Sequence, residues 1–231
     1  MMKVKTGTSV EEAIARIKSL YSPANVVGMA RYGISSHNTY GVSIPTLRKM
    51  AKEIGKDHEA ALRLWKSGIH EARLLAGFAD DPQQVTEKQM EGWVKDFDSW
   101  DICDQVCSNL FDKTSLAYGK ALEWTKRDEE FVKRAGFVLM AALAVHDKKA
   151  GDEVFLAFLP IIKSGVTDER NFVKKAVNWA LRQIGKRNAN LNQAAIKTAE
   201  EIRQINSKSA RWIAVDALRE LTSEKVRRRT T

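Results

Sequence analysis

The feature that most constrains this chain is an apolar residue recurring every three to four positions along most of its length. This spacing places apolar side chains on one face of an α-helix. Strict alternation, which favours a half-buried strand, is rare, and only four prolines interrupt the 231 residues. The pattern therefore predicts an all-helical fold without a β-sheet.

Residues that favour helix N-termini indicate where the helices begin. Ser9 and Thr86 begin capping-box sequences, and Pro23 and Pro45 stand where the first turn of a helix accommodates proline. Residues 33–44 form the one long predicted loop. The predicted helices cover residues 9–21, 23–32, 45–55, 57–67, 69–79, 86–97, 99–111, 115–126, 129–147, 151–164, 168–185, 190–206 and 208–222.

A repeat indicates how these helices are arranged. The sequence FVKRA at 131–135 recurs as FVKKA at 172–176, a shift of 41 residues, and a weaker echo, SARW, lies at 209–212. These spacings are typical of paired-helix repeats of the HEAT kind. We therefore expect an all-α solenoid of about six HEAT-like antiparallel helix pairs with a concave basic groove. One basic residue per repeat is predicted to face this groove: Arg73, Arg134, Lys175 and Arg211.

Length and composition fit one HEAT-like repeat domain over residues 1–231, with flexible tails at 1–8 and 224–231. No apolar run approaches the roughly 18 residues needed to cross a bilayer, and none follows the first lysines, so a cytoplasmic protein without membrane contact is expected. Cys103 and Cys107 have no histidines nearby, which predicts reduced packing residues and not a zinc site. With no Gly-rich phosphate loop and no HExxH pair, neither a metal nor a cofactor is expected.

Positive charge is concentrated in the second half. Residues 1–128 hold 18 Lys+Arg and 17 Asp+Glu, whereas residues 129–231 hold 20 and 12. This asymmetry suggests a polyanion partner such as nucleic acid. The alternative is a basic surface that only keeps the protein soluble, ending in the arginines at 227–229.

The predicted helix from Phe172 carries an unusual tryptophan. Trp179 falls roughly 120° from the apolar stripe, on the side of Lys175 and Arg182. It is either an outer tryptophan covered by the next helix pair or an aromatic platform on a basic surface that binds phosphates and a base or sugar. The stripe itself comprises Val173, Ala176, Val177, Ala180, Leu181 and Ile184.

The predicted helix from Ser99 carries an acid at the edge of its core stripe. Trp100 and Asp104 are one turn apart and therefore adjacent. Asp101 is expected to point to solvent, and Ser99 to cap the helix. Asp104 is either an ordinary salt-bridge partner or an acid in a basic row, suited to face developing positive charge. The stripe comprises Cys103, Val106, Cys107 and Leu110.

At these residues the sequence resembles the AlkD-like DNA alkylation repair glycosylases, a family built from HEAT-like helix pairs. The resemblance runs from about residue 25 to 220. Its motifs are MARY at 29–32, YGVSIPTLR at 40–48, SWDICD at 99–104, KRA at 133–135 and FVKKAVNWALR at 172–182. Some members have two adjacent tryptophans where this chain has Ser99 and Trp100, so the wall of the cleft is expected to differ.

The resemblance implies a monofunctional glycosylase that excises positively charged N-alkylated purines, such as 3-methyladenine and 7-methylguanine, from duplex DNA in base excision repair. It implies that Asp104 is the catalytic aspartate and that Trp100 and Trp179 are the cleft tryptophans. It assigns Arg134 to a phosphate and Tyr32 to a DNA contact. Lys175, Arg182 and Arg211 complete the expected DNA-binding set, and the protein is expected to act as a monomer.

The residues suit this chemistry. An N-alkylated purine is cationic and already a good leaving group, so one carboxylate, Asp104, suffices to stabilise the oxocarbenium-like sugar. Two alternatives remain: a non-catalytic DNA-binding solenoid that recognises distorted or branched DNA, and a protein-interaction scaffold. Glu71 is interpreted as a solvated helix charge, with a second cleft acid as its alternative. The remaining tryptophans, Trp65, Trp93, Trp124 and Trp212, are predicted to pack between helix pairs.

Overall fold

The computed structural model describes residues 8–230, and every regular element among them is a helix. The chain divides into two compact units, residues 1–114 and 115–231. The prediction of one domain over 1–231 stays a prediction. Residues 1–7 of the predicted N-terminal tail lie outside the described residues.

The first unit contains seven α-helices among its described residues. They are α1 (Val10–Ser19), α2 (Pro23–Ala30), α3 (Ile44–Ile54), α4 (His58–Lys66), α5 (His70–Ala79), α6 (Glu87–Lys95) and α7 (Trp100–Asn109), followed by a 3₁₀ turn (Phe111–Lys113). Ser9 makes a complete capping box with Glu12, as predicted. Thr86 accepts a hydrogen bond from the Gln89 backbone, but the Gln89 side chain donates to Asp80 at 2.6 Å, so only the first half of the predicted box at Thr86 is confirmed.

The second unit also contains seven among the residues described. They are α8 (Ala117–Trp124), α9 (Glu130–His146), α10 (Asp152–Ser164), α11 (Asn171–Gly185), α12 (Ala189–Arg203), α13 (Lys208–Leu221) and α14 (Glu224–Thr230). All thirteen predicted helices are confirmed, with ends that differ by a few residues. The additional helix, α14, occupies the segment where a flexible tail was expected. None of the described helices is long and apolar enough to cross a membrane.

In the first unit, α5 packs against α3, α4 and α7. Trp65 of α4 stacks on Trp93 of α6 with ring centroids 4.0 Å apart, which confirms the predicted packing role of both. Cys103 and Cys107 are buried free thiols within α7. Of the residues predicted to face the groove or form the site in this unit, Arg73 lies on α5, Trp100 and Asp104 lie on α7, and Tyr32 follows α2.

In the second unit, α11 packs between α9 and α13. The repeated phenylalanines Phe131 and Phe172 face each other across α9 and α11, with centroids 5.5 Å apart, so the sequence repeat corresponds to neighbouring helices. Trp124 is fully buried, as predicted. Trp212 on α13 is 41% exposed, so its predicted burial is wrong; its ring lies beneath the Lys174 ammonium instead, 5.1 Å away.

Candidate functional site

Helix α7 holds Trp100 against the segment after α2. Its predicted stripe is confirmed, because Cys103, Val106, Cys107 and Leu110 are all fully buried. The Trp100 indole lies at the N-terminal end of this helix, and its Nε1–H donates to the backbone carbonyl of Tyr32 at 2.9 Å. The Tyr32 side chain is 75% exposed. The structure thus brings together two residues that are far apart in sequence.

Asp104 follows Trp100 by one helical turn and is half-buried. This position fits an acid at the edge of the core stripe, as the helical periodicity predicts. Because residues four apart on a helix are neighbours, the carboxylate and the indole share one side of α7. An aromatic side chain and an acid are therefore presented together by a helix whose adjacent face is buried in the core.

The prediction that Asp101 points to solvent is wrong. Its carboxylate is buried and lies 2.8 Å from His70 Nε2 on α5. Ser99 stands at the N-cap position but makes no side-chain cap; its hydroxyl donates to Asp101 at 2.7 Å. The helical periodicity of α7 alone predicts that Asp101 is exposed. Its carboxylate is buried because His70 on α5 is the partner that makes this burial favourable.

The buried pair of His70 and Asp101 sets a pH dependence of stability. Burial opposes charging of both groups, but the hydrogen bond and charge of Asp101 raise the pKa of His70 above its ordinary 6.5. The same bond and the imidazolium charge lower the pKa of Asp101 below 3.8. The pair therefore stabilises the fold between these two pKa values.

We expect the free energy of unfolding to fall as pH rises through the raised pKa of His70, because the folded state then loses a proton that it held more tightly than the unfolded chain. His70→Gln should lack this decline. Urea unfolding of both proteins between about pH 5 and 9 measures it. Parallel pH profiles for the two proteins would contradict the assignment.

Glu71, the next residue of α5, is neither a solvated charge nor a cleft acid. Its side chain is fully buried. It accepts hydrogen bonds from the backbone N–H groups of Tyr40, Gly41 and Val42, at 2.6 to 3.3 Å. Gly41 adopts φ +74°, and a Cβ there would lie 2.7 Å from the Ser22 carbonyl oxygen. Glu71 thus fixes the end of the long predicted loop.

These two contacts of α5 frame a cleft of about 630 Å³ in the first unit. The loop held by Glu71 forms one side, and the start of α7, held by His70, forms another. Tyr32 and Trp100 line the cleft together with Asp101 and Gln105. The resemblance identifies Trp100 as a cleft tryptophan, but most of the lining was not predicted, because it comes from segments brought together only by tertiary packing.

In the second unit, α11 presents the predicted pattern. The six stripe residues from Val173 to Ile184 are fully buried, while Trp179 is half-buried and Lys175 is exposed. Arg182 pairs with Glu220 at 2.6 Å and Asp216 at 3.4 Å on α13, and its phosphate contact stays a prediction. Its charge is largely offset within the protein.

Arg134 and Arg211 lie in different environments. Arg134 is 5% exposed, and its guanidinium donates to the Phe172 backbone carbonyl. This placement favours a supporting role between α9 and α11 and not a direct phosphate contact. Arg211, in contrast, is exposed on α13. Arg73, predicted to face the groove, lies over the Trp65 ring at 5.3 Å.

Two basic clefts were not predicted. In the first unit, a cleft of about 490 Å³ is lined by Arg48, Lys52, Lys56 and Lys113. Burial and the charge of Lys113 lower the pKa of Lys56. In the second unit, a cleft of about 510 Å³ is lined by cations at 148, 186 and 187. The near-neutral composition of residues 1–128 concealed the first of these, although Arg48 and Lys52 lie one turn apart on α3 and only Lys113 comes from a distant segment.

Two bacterial proteins are similar to this chain in sequence. The uncharacterized protein Lin0241 of Listeria innocua is 22% identical over 194 residues, which cover 82% of this chain and 84% of that protein. The uncharacterized protein Lmo0209 of Listeria monocytogenes is 23% identical over the same length and shares. Neither name carries information on activity.

A solved structure, described as "a new family of proteins related to the HEAT-like repeat DNA glycosylases with affinity for branched DNA structures", superposes with a TM-score of 0.76. The two sequences are 18% identical, and the superposition covers 92% of this chain and 96% of the solved chain. This likeness confirms the predicted HEAT-like repeat fold. The family model for DNA alkylation repair enzymes matches residues 13–221. The chain therefore belongs to the DNA alkylation repair enzyme family.

Proposed function

We propose that the protein is a DNA glycosylase that removes positively charged N-alkylated purines, such as 7-methylguanine and 3-methyladenine, from duplex DNA. The observation that carries the proposal is the pairing of a fixed indole and a half-buried carboxylate on α7. Trp100 is held by its hydrogen bond to Tyr32, and Asp104 follows one turn later. Membership of the DNA alkylation repair family supports alkylated DNA as the substrate.

In this reaction the bond between the sugar C1′ and the purine nitrogen breaks, and its electron pair neutralises the cationic base. The sugar acquires oxocarbenium character, which a carboxylate stabilises electrostatically. Water then adds to C1′ and releases its proton to solvent, leaving an abasic site. No acid is needed for the leaving group, because alkylation has already made the base cationic. Asp104 is the proposed carboxylate, and Trp100 and Trp179 are the proposed aromatic contacts to the cationic nucleotide.

DNA would be held mainly through its phosphates. Lys175 and Arg211 are exposed in the second unit, and the cleft between Arg48 and Lys113 adds cations in the first. Contacts of this kind position the duplex without reading its sequence. Tyr32, with its exposed ring, is the proposed additional contact in the first unit.

Base release from methylated duplex DNA tests the proposal directly. We expect 7-methylguanine in the supernatant at a rate well above spontaneous depurination, and unmodified guanine to stay in the DNA. Chromatography of the released bases measures both. The absence of release across duplexes with 7-methylguanine and 3-methyladenine would exclude the glycosylase.

A second candidate is a non-catalytic protein that binds branched DNA. The observation in its favour is the superposed relative, whose description assigns it affinity for branched DNA structures. This candidate predicts tighter binding to a four-way junction than to a linear duplex of equal length, without base release. Gel-shift titration of both DNAs, beside the base-release assay, separates the two functions.

Either function predicts salt-dependent binding through Lys175. Lys175→Ala should lower the slope of log affinity against log salt by about 1, because one phosphate contact and its counterion release are lost. Lys163→Ala is the matched control, since the Lys163 ammonium is paired with Glu201 at 2.8 Å on another part of the second unit. Equal slopes for wild type and Lys175→Ala would remove this residue from the interface.

A further inference from the structure

The exposed face of α13, formed by Lys208, Arg211, Trp212 and Val215, combines an apolar pair with cations. Trp212 and Val215 are 41% and 54% exposed, the two highest values among the large apolar side chains described in the second unit. They are three residues apart and therefore adjacent on the helix. The opposite face of α13 is held in the core by three fully buried residues, Ile213, Ala214 and Ala217. Single exposed apolar residues are ordinary, but an adjacent pair that includes a tryptophan and is bordered by polar residues is typical of a contact surface.

Cations border this apolar pair. Lys208 lies one turn before Trp212, Arg211 lies one turn before Val215, and both cations are exposed. The Lys174 ammonium, from α11, lies 5.1 Å from the centroid of the Trp212 ring. Lys174, Lys208 and Arg211 form no ion pair with the carboxylates that the structure describes. This part of α13 therefore carries positive charge that the protein itself does not offset.

The acidic residues of α13 are engaged with other cations. Asp216 pairs with Arg182 at 3.4 Å and also with Arg219. Glu220 pairs with Arg182 at 2.6 Å and with Lys186 at 2.7 Å. Both acids lie in the C-terminal half of the helix, so the charge is neutralised there and not around the tryptophan in the N-terminal half.

A DNA strand matches this surface in both charge and polarity, because its anionic phosphates alternate with deoxyribose rings whose C–H groups pack on an indole. We propose that the exposed face of α13 binds the DNA backbone, with Trp212 and Val215 against deoxyribose and Lys208 and Arg211 against the flanking phosphates. The proposal rests on the proposed function only in taking DNA as the partner, which both candidate functions share. It adds an apolar contact at a helix where only Arg211 was expected to bind DNA.

Salt separates the two kinds of contact. Fluorescence anisotropy gives the affinity for a labelled, unmodified duplex between about 50 and 200 mM salt. Trp212→Ala should weaken binding by about 5- to 10-fold at every salt concentration, the scale of losing a large aromatic side chain that is already partly covered. Its slope of log affinity against log salt should equal that of wild type, because no phosphate contact is lost. Arg211→Ala should lower that slope by about 1.

Leu156→Ala is the matched control, because Leu156 is a large apolar residue of similar exposure, 38%, on α10, a different helix of the same unit. Its affinity for the duplex should stay within about 2-fold of wild type. Thermal melts of each variant check that it folds. Undiminished affinity of Trp212→Ala, a lowered salt slope in Trp212→Ala, or equal weakening in Leu156→Ala would each overturn the proposal.

Acrylamide quenching of fluorescence supplies a second measurement. The chain has six tryptophans, and the difference between wild type and Trp212→Phe isolates the emission of Trp212. This emission should be quenched readily in the free protein and protected when the duplex is added. Protection by polyglutamate but not by the duplex would assign the surface to an acidic protein partner and overturn the proposal.

Failure of this proposal is distinguishable from failure of the proposed function, because neither measurement requires base release. A glycosylase that does not use α13 would still release 7-methylguanine while Trp212→Ala bound DNA as tightly as wild type. A protein without glycosylase activity would release no base, yet its Trp212 would still be protected by the duplex if the proposal is correct.

Discussion

Asp104→Asn is expected to slow the single-turnover release of 7-methylguanine by on the order of 100-fold or more, the scale of removing one group that stabilises transition-state charge. The substitution keeps the shape of the side chain and removes its charge. Affinity for DNA should stay equal or rise slightly, because a negative charge near the phosphates is lost. Quenched-reaction chromatography under enzyme excess measures the rate.

The matched control is Asp98→Asn. Asp98 is an exposed aspartate two residues before Trp100, so the same charge is removed from the same region without affecting the side of α7 that carries Asp104. Its rate should remain within about 3-fold of wild type, as for surface substitutions generally. If Asp104→Asn released the base as fast as Asp98→Asn, Asp104 would have no catalytic role.

Glu71→Ala is expected to destabilise the first unit by roughly 3–5 kcal/mol, because it removes the acceptor shared by several largely buried backbone N–H groups. Three backbone N–H groups, those of Tyr40, Gly41 and Val42, would lose their acceptor. Each buried donor left without a partner costs about 1–3 kcal/mol, reduced where water can enter. Urea unfolding followed by tryptophan fluorescence measures the change.

Glu59→Ala provides the comparison, because Glu59 occupies the first turn of α4 as Glu71 does that of α5, but is exposed. Its effect should stay within about 0.5 kcal/mol. Glu71→Gln keeps one acceptor oxygen and should lie between the two. If Glu71→Ala and Glu59→Ala unfolded at the same urea concentration, the loop would not depend on the carboxylate.

The helices were predictable because their signals are local. Caps such as Ser9 and Thr86 and the stripe of α11 involve residues within one or two turns, so periodicity alone positions them. The same property explains the correct burial of Cys103 and Cys107 in α7. Helix α14 was missed because its polar sequence, EKVRRRT, carries one apolar residue and no stripe.

The charged residues of the site were harder to place, because the burial of a charge depends on partners elsewhere in the chain. Asp101 is buried by His70, 31 residues earlier, and Glu71 by N–H groups about 30 residues earlier. A helical wheel shows the residues of one helix only, so it contains neither partner. For Arg182 a signal did exist: its partner Glu220 lies 38 residues later, close to the repeat length, so pairing between neighbouring repeats was open to inference.

The absence of buried residues in α2 also bears on how such proteins diverge. Core helices cannot accept many substitutions without loss of stability, whereas none of the eight residues of this helix is fully buried. Changes at its inner positions would alter the neighbouring cleft of about 630 Å³ at little cost to folding. Selection can therefore reshape that hollow through one short helix while the remaining scaffold is inherited unchanged.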